Sequence, residues 1–157
     1  MKLKWMFPIA AVLLIFTGCS SKAASPAEIK VNQDECDTCH MGIQDLESAA
    51  QIILNDGKPL LFDDIGCLFV YLQEEQPEYE AAFVHDFQTK EWISLDKSTF
   101  VQDEGIESPM SYGIAAFESE EKASDFQKND GGTIYTKEEL KNLDIKAFKK
   151  GDMTHSH

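Results

Sequence analysis

Six residues in the first third of the chain combine two thiols, an imidazole and a thioether. They read "CDTCHM", in which Cys36, Cys39, His40 and Met41 carry the donor atoms. As a pattern, C-x-x-C-H is the attachment signal for a c-type haem. As chemistry, thiolate and thioether ligands also suit a soft metal ion such as Cu(I). The segment therefore predicts either a haem or a bare metal ion.

The N-terminal residues predict where the protein resides. Two lysines precede an apolar run over residues 8–17, which is short for a membrane span. The run ends in "FTGC", which resembles the lipobox of bacterial lipoproteins and implies lipidation of Cys19 after cleavage. We therefore expect a signal peptide over 1–18, a lipidated Cys19 with a tether over 19–33, and an anchor in the cell membrane on its extracytoplasmic side.

The charge of the chain excludes one class of partner. It carries 28 acidic and 14 basic residues, a formal net charge of −14 at pH 7. Such a surface repels phosphate backbones and anionic lipid headgroups, so nucleic acid is not an expected partner. It would attract cations and basic protein surfaces.

Once Cys19 is lipidated, three cysteines remain. An odd number does not fit a fully paired disulfide framework. Cys36 and Cys39 are close enough in sequence to bind one ion together, or to pair with each other in the metal-free protein. Cys67 lies in the apolar run over 65–72 and is interpreted as a small buried hydrophobe.

Hydrophobic periodicity and turn signals predict an α+β protein of two small, related ββαβ units that pack together. In the first unit, over 34–88, two strands flank an Asp-Gly turn, and a helix with apolar residues at i, i+3, i+4 and i+7 leads to a third strand. The predicted elements are strands at 49–54, 59–62 and 81–87, and a helix capped by Asp63 or Asp64.

The second unit, over 89–136, is predicted to follow the same plan. Its expected elements are strands at 91–95, 111–117 and 133–135, and a helix capped by Ser119. Residues 137–157 are expected to form a short helix, with Leu140 and Leu143 facing inward, and then a disordered tail.

The predicted fold favours a bare metal ion over haem. A small cytochrome c is mostly helical, whereas this chain has many strand signals. In addition, "HMGI" at 40–43 resembles "PMSYGI" at 109–114, and packing of the two units would bring Met41 and Met110 near Cys39. This predicts a Cu(I) site formed by Cys39, Met41 and Met110, with Cys36 as a second thiolate. Cys36, Cys39 and His40 do not supply the four converging ligands of a zinc site, so weak or no zinc binding is expected.

The sequence also resembles a known family, the NosL-type accessory lipoproteins of nitrous oxide reductase. The resemblance runs from about residue 34 to residue 135 and rests on four blocks in order, "CDTCHMGI", "PLLFDDIGCLFVYL", "FVHDFQTKEWI" and "SPMSYGIAAF". It implies a copper-binding chaperone, a fold of two related ββαβ units, and a copper-accepting enzyme or its assembly proteins as partners. The family reads Gly where this chain has His40, so the haem pattern is interpreted as a coincidence.

Further candidate ligands lie outside the motif. His85, between Phe83 and Phe87 on a predicted strand, is either a metal ligand or a core histidine held by a backbone hydrogen bond. Met153, His155 and His157 form a possible second site in the tail.

Three functions follow from these observations. The first is a Cu(I) metallochaperone without enzymatic activity. The second is a lipid-anchored c-type cytochrome. The third is a thiol–disulfide oxidoreductase that uses Cys36 and Cys39, although the sequence lacks the strand before the motif and the helix after it that such enzymes need.

Overall fold

The structure is a computed structural model that describes residues 24–149. The predicted signal peptide, Cys19 and the tail residues Met153, His155 and His157 lie outside the described residues, so the predictions made for them stay predictions. Within residues 24–149, no helix combines the length and the apolar character that crossing a bilayer requires.

The described chain contains seven strands, three α-helices and two short 3-10 helices. In chain order they are β1 (Ala50–Leu54), β2 (Pro59–Phe62), α1 (Ile65–Glu74), β3 (Tyr79–His85), β4 (Trp92–Ser94), a 3-10 turn (Leu95–Lys97), β5 (Thr99–Gln102), β6 (Ile114–Phe117), α2 (Glu120–Asp130), β7 (Thr133–Thr136), α3 (Lys137–Asn142) and a second 3-10 turn (Ile145–Phe148).

The strands form two antiparallel sheets with the same internal plan. The first sheet has the order β2-β1-β3-β4, and the second has the order β6-β5-β7. In each sheet the first strand of a ββαβ unit is central, and the second and third strands flank it. The predicted α+β class and the two related ββαβ units are therefore confirmed.

One predicted strand belongs to the other unit. The segment at 91–95 was expected to open the second unit, but Trp92–Ser94 pairs with β3 and adds an edge to the first sheet. The second unit opens instead with β5, a strand that the sequence analysis missed. Its residues Thr99, Phe100 and Val101 are β-branched or aromatic and could have indicated a strand.

Helix α1 joins the two units in one hydrophobic core. Its apolar residues Ile65, Leu68, Phe69 and Leu72 are all buried, as their spacing predicts. The ring of Phe69 meets the ring of Phe100 on β5 edge to face, with centroids 5.2 Å apart. Burial of such a pair stabilises both sheets against the same helix, so the two units cannot separate without exposing this core.

A buried carboxylate also connects the two sheets. Asp86, just after β3, accepts hydrogen bonds from the backbone N–H groups of Gln88, Thr89 and Glu118, at 3.0, 2.8 and 2.9 Å. Burial opposes ionisation of Asp86, but these hydrogen bonds outweigh it and hold its pKa below the usual range. Because Glu118 follows β6, the side chain fixes the end of the first sheet to the second.

The C-terminal segment closes the core. Thr136 and Glu139 form a capping box at the start of α3. Leu140 is fully buried, as expected, but Leu143 is 36% exposed, so the prediction that it faces inward is wrong. The helix ends at Asn142, one residue before Leu143, and the helical periodicity therefore does not extend to that side chain.

Candidate metal centre

The cysteine motif forms a closed turn. The backbone N–H of Cys36 donates to the carbonyl of Met41, and the N–H of His40 donates to the carbonyl of Cys36, both at 2.9 Å. His40 has a φ of 58°, a left-handed conformation that glycine adopts more readily. This backbone requirement accounts for the Gly that the resembling family has at this position.

The turn is fastened to the first unit on two sides. Asp37 exchanges two hydrogen bonds with Leu61 on β2: its N–H donates to the Leu61 carbonyl at 2.8 Å, and its carboxylate accepts from the Leu61 N–H at 2.7 Å. The hydroxyl of Thr38 donates to the carbonyl of Cys67 in α1 at 2.9 Å. The two motif cysteines therefore lie over the junction between β2 and α1.

The start of α1 supplies two more donor groups. Asp64, not Asp63, is the N-cap, since its carboxylate accepts from the N–H of Gly66 at 2.7 Å. This leaves the Asp63 carboxylate available. Cys67 lies in the first turn of the helix, and Asp63 lies just before the N-cap.

Four donor atoms converge at this junction. The sulfurs of Cys36, Cys39 and Cys67 and a carboxylate oxygen of Asp63 all lie within 4.8 Å of one another. Cys36, Cys67 and Asp63 are buried, whereas Cys39 is partly exposed. The thiol of Cys39 is 3.5 Å from the carboxylate of Asp63. Cys39 is therefore the member of the cluster that solvent reaches.

The three thiols differ in pKa. The hydrogen bond from Cys67 lowers the pKa of Cys36 to about 6, although burial opposes this. Burial raises the pKa of Cys39 to about 11. The pKa of Cys67 is raised, first by its hydrogen bond to Cys36 and then by burial. Cys36 is therefore the most readily ionised of the three thiols.

The second unit covers the centre with its 108–113 loop. Asp64 accepts hydrogen bonds from the Ser108 hydroxyl at 2.7 Å and from the Met110 N–H at 2.9 Å. The ring of Tyr112 packs on α1 so closely that a Cβ at Gly66 would lie 2.2 Å from it. The loop is thereby held against the helix turn that carries Cys67.

Of the two methionines predicted as ligands, Met110 lies in the 108–113 loop and Met41 lies in the motif turn. Met110 is partly buried and packs against the core cluster that contains Cys36 and Cys67. Met41 is 53% exposed, two residues from Cys39. The backbone of Met110 is thus held next to the start of α1 by Asp64, and Met41 is exposed to solvent. The roles of both methionines as metal ligands stay predictions.

His85 has a different environment. Its Nδ1 lies 3.2 Å from the carbonyl of Ala49, and its ring stacks on Trp92 with centroids 3.6 Å apart. Burial lowers its pKa, while the Ala49 contact and nearby acidic groups oppose this. It is not a member of the group of four donors.

Sequence reasoning missed Asp63 and Cys67 as members of the centre. Asp63 was interpreted as a helix cap and Cys67 as a core hydrophobe. The available signal was the presence of a thiol and a carboxylate close together in sequence, around the start of a predicted helix. What the sequence could not give was the position of the Cys36–Cys39 turn over that face.

The arrangement suits a soft or borderline metal ion. Thiolates with one carboxylate can form a trigonal or tetrahedral site, depending on how many of the four groups bind. The motif turn does not begin a helix, so it lacks the helix N-terminus that activates the thiol of thioredoxin-like enzymes. Cys36, the first cysteine of the C-x-x-C-H pattern, is fully buried.

Comparisons with known proteins agree with this architecture. A sequence profile described as NosL matches residues 26–144. Among solved structures, the chain is similar to the copper chaperone NosL from Shewanella denitrificans, with a TM-score of 0.60 and 20% identity, over 70% of this chain and 91% of that chain. A search of curated proteins gives no match. At 20% identity the structural likeness supports the fold.

Proposed function

Since the chain belongs to the NosL family, we propose that it is a Cu(I)-binding metallochaperone without enzymatic activity. The profile match over most of the chain confirms the resemblance noted in its sequence. The observation that carries the copper assignment is the convergence of three thiols at one point of the fold. Thiolate sulfur favours soft and borderline metal ions, of which Cu(I) is satisfied by only two or three such ligands.

The cysteines of the cluster differ in burial, which suits a protein that holds copper and later releases it. Cys36 and Cys67 are buried and positioned by backbone hydrogen bonds, so they form a fixed pair of ligands. Cys39 is partly exposed. Of the two methionines, Met41 is exposed and Met110 is partly buried. Copper would enter and leave through this solvent side, by exchange of one ligand at a time between chaperone and acceptor.

The proposal includes a location and an acceptor. A lipid on Cys19 would anchor the protein to the extracytoplasmic face of the cell membrane. The acceptor would be nitrous oxide reductase or one of its assembly proteins, since the family resemblance implies this enzyme. The net charge of −14 favours an acceptor with a basic docking surface.

Competition titration of the reduced protein against a Cu(I) chelator tests copper binding. We expect one Cu(I) per chain, and we expect Cys67→Ser to weaken binding by at least about tenfold through loss of a thiolate. Met110→Leu and Met41→Leu, which keep the side-chain volume and lose the sulfur, form a matched pair. The thioether assignment predicts weaker binding in both, and unchanged affinity in either variant removes that methionine from the site.

Membrane fractionation tests the anchor. Cys19→Ser should move the protein to the soluble fraction without changing its copper affinity. A variant that stays in the membrane after salt and carbonate washes would show that Cys19 is not the anchor.

The copper content of nitrous oxide reductase tests the acceptor. Cells that lack this chain should produce the enzyme with less copper, and Cys67→Ser should not restore it. Full copper loading without the chain would remove this enzyme as the acceptor. A Soret band in protein purified from its native compartment would contradict the chaperone and favour the cytochrome.

A further inference from the structure

A groove with an aromatic floor lies between the end of β3, the loop after β5 and helix α2. Two half-buried phenylalanines, Phe87 and Phe126, line it together with the buried Ile106, and its volume is about 480 Å³. The rings of Phe87 and Phe126 meet edge to face, with centroids 5.2 Å apart. Both rings also contact the fully buried ring of Phe117, at 5.7 and 5.3 Å between centroids. This packing fixes the floor of the groove before any partner binds.

The charged side chains that line the groove are all acidic. They are Asp103, Glu107 and Asp130, and no basic side chain lines it with them. Glu107 and Asp130 are exposed, and Asp103 accepts a hydrogen bond from the N–H of Gly105 at 2.6 Å. Within residues 24–149, none of these three carboxylates forms an ion pair with a basic side chain. The charge at the groove is therefore uncompensated, and it complements a positively charged partner.

The same aromatic surface already contacts one cation of the chain. The Nζ of Lys90 lies 4.8 Å from the ring centroid of Phe87 and 3.2 Å from the carboxylate of Glu47. Lys90 lines the neighbouring cavity and not the groove itself. The contact shows that a cation is held here by an aromatic ring and a carboxylate together, which are the two kinds of group that the groove presents.

The groove is continuous with the surface of the loop that covers the metal centre. It shares Ile106 and Glu107 with a smaller cavity of about 120 Å³, which Ser108 also lines. The hydroxyl of Ser108 donates to Asp64, which fastens the 108–113 loop to α1. A partner bound in the groove would therefore lie beside the loop that covers the metal centre.

We propose that the groove is the docking site for the copper acceptor, and that it receives a basic segment of that protein which presents arginine together with apolar side chains. The proposal deepens the proposed function and rests on it for the partner, a copper-accepting protein. Arginine fits both parts of the groove, because its guanidinium group stacks on aromatic rings and also pairs with carboxylates. Apolar side chains of the segment would cover the exposed parts of the two rings.

A peptide titration tests whether the groove binds such a segment. The capped peptide RLRLR is added to the full Cu(I)-loaded chain, and the NMR signals of the backbone amides are followed. We expect shifts at residues 87–88, 103–107 and 126–130, and no shifts with the capped peptide ELELE. The docking site is wrong if RLRLR shifts signals over the whole surface, or shifts none at these residues.

Substitutions separate the groove from the general acidity of the chain. Glu107→Gln combined with Asp130→Asn should weaken RLRLR binding by at least about threefold, through loss of two exposed charges. Glu80→Gln combined with Asp144→Asn removes two exposed carboxylates elsewhere, and this matched control should bind within about 1.5-fold of the parent. Phe126→Leu should also weaken binding, because an aliphatic side chain offers no aromatic face to a guanidinium group. Equal weakening by the two double variants would overturn the groove as the site.

Copper transfer tests whether docking in the groove serves the proposed function. Transfer of Cu(I) to apo nitrous oxide reductase should be at least about threefold slower from the Glu107→Gln, Asp130→Asn variant than from the parent, because charges at the edge of an interface act mainly on the association rate. The Cu(I) affinity of this variant should equal that of the parent, since neither carboxylate belongs to the cysteine cluster.

The two experiments distinguish the docking site from the proposed function. Transfer as fast from the groove variant as from the parent would overturn the groove as the docking site for this acceptor. If the parent itself transfers no copper to the enzyme, the proposed acceptor is wrong. Peptide binding confined to the groove would in that case still support a docking site for a basic protein segment.

Discussion

Asp64 links the metal centre to the second unit, and its removal should loosen Met110. Its carboxylate caps α1 through Gly66 and also accepts hydrogen bonds from Ser108 and Met110. In Asp64→Asn, one oxygen remains to cap the helix. The amide nitrogen that replaces the other oxygen cannot accept from either residue of the loop. The variant therefore retains the helix cap and loses the attachment of the loop.

The expected loss of stability follows from these contacts. A hydrogen bond to a charged group contributes about 1.5–3 kcal/mol, so two of them give roughly 3–6 kcal/mol as an upper limit. Burial raises the pKa of Asp64, against its hydrogen bonds from Ser108, Gly66 and Met110, which shows that holding the charge there is costly. Asn removes that cost, so we expect a net loss of about 2–3 kcal/mol in the free energy of unfolding.

Urea unfolding of the metal-free protein measures this loss, and Ser108→Ala provides the comparison. The latter removes the hydrogen bond that the Ser108 hydroxyl donates to Asp64 and the longer one that it accepts from the Gly113 N–H, and it should lower stability by about 1.5 kcal/mol. For copper, Asp64→Asn should weaken Cu(I) binding in the parent but have no further effect in a Met110→Leu background. Equal stability of Asp64→Asn and the parent, or additive effects on copper affinity in the double variant, would refute the reasoning.

Three further predictions concern other positions. Asp86→Asn should lower the free energy of unfolding by about 2 kcal/mol, because an amide cannot accept every hydrogen bond that joins the two sheets there; unchanged urea unfolding would contradict this. His40→Gly should leave Cu(I) affinity unchanged and stabilise the fold by about 0.5 kcal/mol, since glycine adopts the left-handed conformation more readily; a drop in affinity would make His40 a ligand. Burial lowers the pKa of His85 in the folded protein below its value of about 6.5 in the unfolded chain. The contribution of His85 to stability is therefore complete above about pH 6.5 and is lost as the pH falls through the folded pKa. The stability difference between the parent and His85→Gln should therefore shrink from pH 7.5 to pH 5.5, and a constant difference would contradict the assignment.

Much of the fold could be predicted from local signals. The helix α1 with its cap Asp64, the strand Pro59–Phe62 and the cap of α2 by Ser119 depend on near neighbours in sequence. The strand at Trp92–Ser94 was assigned to the wrong unit, because the partner of a short strand is a non-local property. The exposed Leu143 was also misplaced, because the end of a short helix is set by its last hydrogen bonds.

The candidate site was predictable only in part. The motif cysteines and Met110 carry chemistry that is visible in their residue types and their repetition. Cys67 and Asp63 have ordinary local explanations, a core hydrophobe and a helix cap, and both explanations compete with the metal role. Their proximity to Cys36 arises from the bonds of the motif turn to Leu61 and Cys67, which join residues 24 or more positions apart.

X-ray absorption spectroscopy at the copper edge of the Cu(I)-loaded protein tests the central claim most directly. It counts the sulfur and the nitrogen or oxygen neighbours of the ion. We predict a first shell of sulfur alone in the parent and in Asp63→Asn, with fewer sulfur scatterers in Cys67→Ser. A shell dominated by nitrogen or oxygen, or a shell that Cys67→Ser leaves unchanged, would contradict the assignment of copper to the cysteine cluster.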